Sequence, residues 1–126
     1  MEKSKPQAFL ESWEELQGPA IFATVDKEGS PNVVYVGCFK LINNSRIVIA
    51  NNKFHKTQKN IHNGSYGSFL FITKDGKSYQ VKGKVKNHTE GKIYEGMKGW
   101  LDPKYPGHSA VVLDIEEIYS GSEKLL

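Results

Sequence analysis

The side chains of this sequence best suited to bind an anion are concentrated in segment 50–60. An apolar stretch over Arg46–Asn51 ends in a polar loop, and a short helix is predicted to begin at Lys56. A helix N-terminus offers free backbone N–H groups and a partial positive charge, which together bind phosphate. Lys56 would add a full charge, Thr57 a hydroxyl donor and Arg46 a fork of N–H groups. A solvated basic turn with an ordinary capping threonine explains the same residues, so both interpretations stay open.

Other familiar catalytic patterns are missing from the sequence. It contains no Gly-x-Ser-x-Gly, His-Glu-x-x-His or Gly-x-Gly-x-x-Gly motif, and Phe71 stands where a P-loop ending at Gly76-Lys77-Ser78 would need glycine. Cys38 lies inside an apolar stretch and is predicted to be an inert core thiol. The histidines have no carboxylate at ligand spacing, so we predict no metal site and assign no catalytic side chain; they are His55, His62, His88 and His108.

Length and charge narrow the classes of protein further. The chain has 126 residues, which predicts a single domain over 1–126, and its formal net charge is +3. That charge suits a compact anion better than nucleic acid, so we expect no nucleic-acid partner. Met1–Pro6 is not followed by an apolar stretch, and no run of about 20 apolar residues occurs. We therefore expect a cytoplasmic protein that does not bind membranes.

Three helices are predicted around the strands. The first begins near Pro6 and is ended by Gly18-Pro19; its apolar stripe is Phe9, Leu10, Trp13 and Leu16. The second begins at Lys56 and is ended by Gly64. The third is opened by Thr89-Glu90, with Thr89 as the N-cap, and is stopped by Asp102-Pro103.

Strand signals dominate the rest of the chain. Asn32–Ile42 is apolar almost without a break, which is typical of a strand covered on both faces, here by a partner subunit or a ligand. Ser78–Lys86 alternates apolar and polar residues, and Asp75-Gly76 supplies the preceding hairpin turn. Strands in hairpin-like succession predict a mainly β protein, an antiparallel barrel with the first helix plugging or flanking one end. The six strands are predicted over 20–25, 32–42, 46–51, 66–73, 78–86 and 110–119.

Several short motifs together resemble the FMN-binding split-barrel proteins, the small relatives of pyridoxamine 5′-phosphate oxidase. The resemblance runs from Ala20 to Tyr119, and its most specific parts are Lys-Thr-x-x-Asn and Tyr-Gln-x-Lys-Gly. In order, the motifs are Pro31-Asn32-Val33-Val34, Arg46-Ile47-Val48-Ile49-Ala50-Asn51, His55-Lys56-Thr57 with Asn60, Tyr79-Gln80-Val81-Lys82-Gly83 and Thr89-Glu90-Gly91.

The resemblance implies a six-stranded antiparallel split β-barrel that forms a homodimer with FMN at the interface. Lys56 and Thr57 would bind the FMN phosphate, and Trp100 of the other subunit would pack by the flavin unless it is a core residue of its helix. The remaining positions that the resemblance implies as cofactor-binding are Val34, Tyr35, Val36, Ala50, Asn51, His55 and Asn60.

The resemblance also bears on activity. The chain ends at Leu126 without the Arg- and Pro-rich segment of the full oxidases, so we do not expect pyridoxal phosphate synthesis. The resemblance implies an FMN-dependent oxidoreductase that transfers electrons or hydride, with NAD(P)H or a redox protein as donor. Lysines on the polar face of the fifth predicted strand, Lys82 above all, could reach the flavin, and simple solvation explains them as well. Some relatives use a deazaflavin or bind haem. A flavin-binding or electron-carrier module without turnover, and less readily a barrel that binds single-stranded nucleic acid, remain as alternatives.

Overall fold

The computed structural model describes residues 5–126, so residues 1–4, on which the expectation of no secretory signal partly rests, lie outside it. The helices are α1 (Lys5–Glu14), α2 (Lys56–His62) and α3 (Gly91–Trp100). The strands are β1 (Leu16–Val25), β2 (Pro31–Val36), β3 (Phe39–Ile42), β4 (Arg46–Asn51), β5 (Tyr66–Thr73), β6 (Ser78–His88), β7 (Ser109–Ser120) and β8 (Glu123–Lys124).

The strands form one antiparallel sheet in the order β2-β1-β5-β6-β7-β4-β3, with the short β8 added beside β7. The two ends of this order, β2 and β3, are separated along the chain by only Gly37 and Cys38. The sheet must therefore curl until its edges approach each other, and the Ala50 N–H donates to the Cys38 carbonyl at 2.9 Å in this junction. This confirms the predicted mainly β, antiparallel barrel that is split at one seam.

The predicted strand over 32–42 is two strands, which raises the count from six to eight together with β8. The break falls at Gly37-Cys38, where the chain leaves β1 and crosses to pair with β4. Within residues 5–126 the second face of β2 is also open, since Val33 is 60% and Tyr35 74% exposed. The expected cover of that face by a partner subunit or a ligand stays a prediction.

The boundary between α1 and β1 differs from the prediction. The helix ends at Glu14, and Gly18-Pro19 lies inside β1 rather than after the helix. The register with β5 shifts between Gln17 and Ile21, so the two breakers occupy a bulge. A bulge tolerates the missing N–H of Pro19, and Gly18 adopts the left-handed φ of +70° that the bend requires.

The start of α3 also differs from the prediction. Glu90, not Thr89, occupies the N-cap position, and no capping hydrogen bond from its side chain occurs within the described part of the chain. The other predicted boundaries hold closely: α2 begins at Lys56, and β5 has the predicted bounds. In β6 the alternation is confirmed, since Tyr79 and Val81 are buried while Lys82 is exposed.

Two apolar clusters fill the molecule. The larger one lies inside the barrel, where Phe9 and Trp13 of α1 pack against rings of the sheet such as Phe71, 6.1 and 5.3 Å away between ring centroids. The smaller one lies between α3 and strands β4 and β7, around Met97 and Val48. Strand β4 is therefore buried on both faces, and its C-terminal end is held firmly at the start of the polar loop that leads to α2.

Candidate cofactor cleft

A cleft of about 390 Å³ lies along the free edge of β2. It brings together four of the residues that the resemblance placed at the flavin ring: Val34, Tyr35, Val36 and Ala50. It also includes residues that the sequence did not point to as ring contacts, namely Gly37, Cys38, Asn52, Lys53, Phe54 and Tyr105. Cys38 is half-buried: it packs against an apolar core cluster and also borders this cleft, so the predicted core thiol lies at the edge of the core rather than inside it.

The edge of β2 gives this cleft its hydrogen-bonding capacity. Within residues 5–126, β2 pairs with β1 alone. In an antiparallel edge strand, alternate residues turn both their N–H and C=O away from the neighbouring strand. These groups border the cleft at Val34–Val36, so they can donate to and accept from the polar rim of a flat ring.

The side walls of the cleft come from two loops. Phe54, in the loop between β4 and α2, stacks on the core ring Phe22 at 6.2 Å and 25°, which fixes an apolar wall. Lys53 in the same loop is exposed and adds a positive charge at the rim. Tyr105 comes from the loop between α3 and β7, and only the folded chain brings it to this place.

A second, polar cleft of about 500 Å³ lies between α2 and the turn that joins β1 to β2. Lys56 and Lys59 of α2 border it, and Lys27 borders it from the turn. The carboxylates of Asp26 and Glu28 also border it, and Asp26 Oδ1 accepts hydrogen bonds from the Glu28 and Ser30 N–H groups at 2.9 and 2.8 Å. Three lysines against two carboxylates leave the lining with a net charge of +1, which favours an anionic group.

Thr57, a predicted phosphate ligand, and Asn60, a predicted cofactor-binding residue, are both buried and tie α2 to the sheet. Thr57 is 1% exposed, and its Oγ1 accepts from Asn32 Nδ2 of β2 at 2.9 Å. Asn60 is 4% exposed, and its Nδ2 donates to Thr24 Oγ1 of β1 at 3.0 Å. Their side chains position Lys56 beside β2, whereas His55 occupies the N-cap of α2 and is exposed.

Asn51 organises the loop between the clefts. Its Nδ2 donates to Gln58 Oε1 at 2.7 Å and to Ser109 Oγ at 3.2 Å, while its Oδ1 accepts from the Phe54 N–H at 2.9 Å. Trp100 packs half-buried against the smaller apolar cluster and does not border the cleft of its own chain. Its contact with the cofactor of a partner subunit stays a prediction.

Arg46 does not belong to the anion site. It begins β4, whereas the polar loop follows the other end of that strand, about 16 Å away at roughly 3.3 Å per residue. Its Nε lies 3.4 Å from Asp114 Oδ1, and this ion pair is at the end of β4 opposite the polar loop. The prediction that Arg46 adds donors to the phosphate site is wrong, because the length of β4 separates Arg46 from that site.

Lys82, which we expected near the flavin, lies on the outer face of β6 with its Nζ 5.4 Å from the centre of the Tyr119 ring. The Tyr119 hydroxyl donates to Glu117 Oε1 at 2.7 Å. This bond lowers the pKa of Glu117, with Lys124 and Lys82 acting in the same direction, and raises the pKa of Tyr119. Lys82 therefore has an acidic neighbour within its own chain.

Within residues 5–126, no group of three or more His, Cys, Asp and Glu side chains that could hold a metal ion occurs. No helix in this part of the chain is long and apolar enough to cross a bilayer.

A family model described as pyridoxamine 5′-phosphate oxidase matches residues 7–121 of the chain. Since this match spans most of the sequence, the protein belongs to the pyridoxamine 5′-phosphate oxidase family. The resemblance inferred from the motifs over 20–119 is thereby confirmed, and the structure agrees with the split barrel that it implied.

The chain is similar in sequence to one protein and in fold to several solved structures. An uncharacterised protein of Methanocaldococcus jannaschii is 32% identical over 111 residues, which cover 83% of this chain and 74% of that protein. HupZ of Group A Streptococcus superposes with a TM-score of 0.77 at 24% identity, over 91% of this chain and 92% of that one. An FMN-binding protein from Syntrophomonas wolfei superposes with a TM-score of 0.72 at 22% identity, over 82% of this chain and 76% of that one. At these identities the two structures show the fold alone.

Proposed function

We propose that this protein is a homodimeric FMN-binding oxidoreductase that transfers electrons or hydride. The observation that carries the proposal is the placement of the apolar cleft, with its unpaired β2 edge, directly beside the lysine-lined cleft at α2. Asn32 borders the polar cleft and Val34 the apolar one, two residues apart and therefore about 7 Å along β2. This arrangement suits a molecule with a flat ring, a short polar chain and an anionic end.

The residues present fit FMN group by group. The free N–H and C=O groups at alternate positions of Val34–Val36 are placed to meet the polar edge of the ring, and Ala50 and Phe54 supply apolar surface that excludes water. Lys56 would hold the phosphate, assisted by the other lysines of the polar cleft. When bound, FMN supplies hydride or single-electron transfer, so the chain need only bind, orient and shield it.

The outer face of the sheet supports the second part of the proposal, a homodimer. Tyr35 of β2, Ile21 of β1 and Leu70 of β5 lie opposite one another in register, so their side chains share one face. We call this face, together with Val33 and Ile72, the outer patch; all but Ile21 are exposed. Contiguous apolar surface of this kind marks an interface.

The outer patch and the cofactor cleft are continuous, because Tyr35 belongs to both. A second copy of this chain seated on the patch would therefore border the cofactor and complete its site. The polar positions next in register on β6, Gln80 opposite Leu70 and Lys82 opposite Ser68, would form the rim of that interface.

Titration with two flavins tests cofactor binding. Lumiflavin has the flavin ring without the phosphate-bearing tail, so it separates the ring site from the anion site. We expect wild-type protein to bind both and to prefer FMN. Lys56→Ala should weaken FMN binding about tenfold, roughly 1.4 kcal/mol, and leave lumiflavin binding unchanged.

Lys92→Ala is the matched control, because it removes the same charge from the exposed surface of α3. Equal losses in the two variants would show that only net charge matters. A wild-type protein that binds neither flavin, or that binds haemin or a deazaflavin in preference, would overturn the assignment of FMN.

Reduction under anaerobic conditions tests the oxidoreductase part separately. We expect NADH or NADPH to bleach the absorbance of the bound flavin. If neither nucleotide reduces the flavin but a reduced redox protein does, the protein accepts electrons from a protein donor. If nothing reduces it at a useful rate, the protein is a flavin-binding module without turnover.

A further inference from the structure

Three aromatic residues border the apolar cleft in the described chain, and they differ in how they are held. Phe54 stacks on Phe22 and is part of the core wall. Tyr35 projects from the edge strand and is 74% exposed on the outer patch. Tyr105 is 38% exposed and comes from the loop over residues 102–108, which is fixed at several points.

Backbone hydrogen bonds fasten this loop to the segment that follows β4. The His108 N–H donates to the Asn51 carbonyl at 2.8 Å, and the Gly107 N–H donates to Asn52 Oδ1 at 3.0 Å. Lys98 Nζ of α3 donates to the Pro106 carbonyl at 2.8 Å. The loop is thus tied both to the helix before it and to the floor of the cleft.

Glycine at position 107 makes the close docking of the loop feasible. Its φ is +51°, and a Cβ there would lie 2.6 Å from Leu101 Cδ2 and 3.2 Å from Met97 Sδ. Tyr105 is therefore held between two anchored ends, the turn at Asp102, whose carbonyl accepts from the Tyr105 N–H at 3.0 Å, and Gly107. Lys104 Nζ lies 5.2 Å from the centre of its ring.

We propose that Tyr105 is the aromatic wall of the ring site and contacts the flavin bound in its own subunit. The proposal rests on the proposed FMN function and assigns the ring contact to a residue of the same chain rather than to Trp100 of the partner. Because the loop is already anchored, the ring needs little ordering when the cofactor binds, which favours affinity. The phenol ring also limits the width of the cleft, so Tyr105 determines which flat ring systems fit.

Two substitutions at position 105 test the contact. Tyr105→Leu should weaken FMN and lumiflavin by the same factor, about tenfold, because it removes an aromatic ring contact and leaves the anion site intact. Tyr105→Phe should keep both affinities close to wild type. Tyrosine donates an electron to photoexcited flavin and phenylalanine does not. With Tyr35, the other tyrosine of the cleft, also replaced by Phe, FMN bound to the Tyr105→Phe protein should fluoresce more strongly at saturation than FMN bound to the Tyr35→Phe protein.

Pro103→Ala is the control within the loop, because Pro103 is exposed and does not border the cleft. Wild-type affinity for both flavins in Tyr105→Leu would overturn the contact while leaving the FMN proposal intact, and so would a loss confined to FMN. Unchanged flavin fluorescence when Tyr105→Phe is added to Tyr35→Phe would also count against it, whether or not the leucine variant folds. If the wild-type protein binds neither flavin, the proposed function fails and this inference fails with it.

Discussion

Strands β2 and β4 have similar apolar sequences but opposite surroundings. In β4, the residues from Ile47 to Asn51 are all buried, because the barrel interior covers one face and α3 the other. In β2, buried or half-buried residues alternate with exposed ones, and Val33 and Tyr35 face outwards. A continuous apolar strand can thus be covered on both faces by its own chain, as β4 is, or have one face open within residues 5–126, as β2 has.

The two strands also differ in how they are tied to their surroundings. The side chain of Asn51, at the end of β4, makes three hydrogen bonds to Gln58, Ser109 and Phe54. The side chain of Asn32 in β2 makes one, to Thr57. Strand β4 is thus the fixed side of the apolar cleft, whereas β2 has an edge and a face without a neighbour in the described residues.

Truncation of one apolar residue in each strand, buried in β4 and exposed in β2, should distinguish the two strands most strongly. Ile49 is 0% exposed, so Ile49→Ala should lower the free energy of unfolding by about 2–5 kcal/mol at any protein concentration. Val33→Ala should act through the dimer, so its effect on urea denaturation should vary with protein concentration. Equal effects that are independent of concentration would contradict the assignment of Val33 to an interface.

Charges on the outer patch should break the dimer without unfolding the chain. We expect the double variant Val33→Asp, Tyr35→Asp to raise the dimer dissociation constant roughly 100-fold, because desolvating each new unpaired polar group costs about 1–3 kcal/mol. Sedimentation velocity at micromolar concentration measures the shift. Lys40→Asp, at an exposed position of β3, should remain dimeric; a wild-type monomer would refute the interface.

The hydrogen-bond difference predicts a smaller effect. Asn51→Ala should lower the free energy of unfolding by about 2–3 kcal/mol and Asn32→Ala by about 1 kcal/mol, since each lost bond contributes about 1 kcal/mol. Asn63→Ala is the control, because Asn63 is an exposed asparagine bordering the same polar cleft as Asn32. If Asn32→Ala proved the more destabilising, β2 would be the more firmly held strand.

Much of the fold was predictable because its signals are local. The bounds of β5 follow from a strand-forming run between Gly64 and the Asp75-Gly76 turn, and the alternation in β6 sets its two faces. The helix end predicted at Gly18-Pro19 was wrong because a Gly-Pro pair can end a helix or fill a β-bulge. Only the pairing of β1 with β5 distinguishes these two cases. The division of the predicted strand 32–42 at Gly37 likewise follows from long-range pairing, because β2 pairs with β1 and β3 pairs with β4.

Part of the candidate site was also predictable, because some of its residues lie in short local motifs. Motif order indicated Val34–Val36 and Ala50, which the structure brings to one cleft. Tyr105 follows β4 by more than 50 residues in sequence, and no local pattern connects it with that cleft. Arg46 was misplaced because residue type alone does not reveal that a strand carries it to the far end of the sheet.

Hydrogen–deuterium exchange with and without saturating FMN tests the central claim most directly, because it reports where the cofactor lies. We predict that FMN slows exchange of the free amides in 34–38 and of the loop over 52–56, with much smaller changes in the buried β4. Binding of FMN with no added protection at 34–38, or with protection confined to another part of the barrel, would contradict the account.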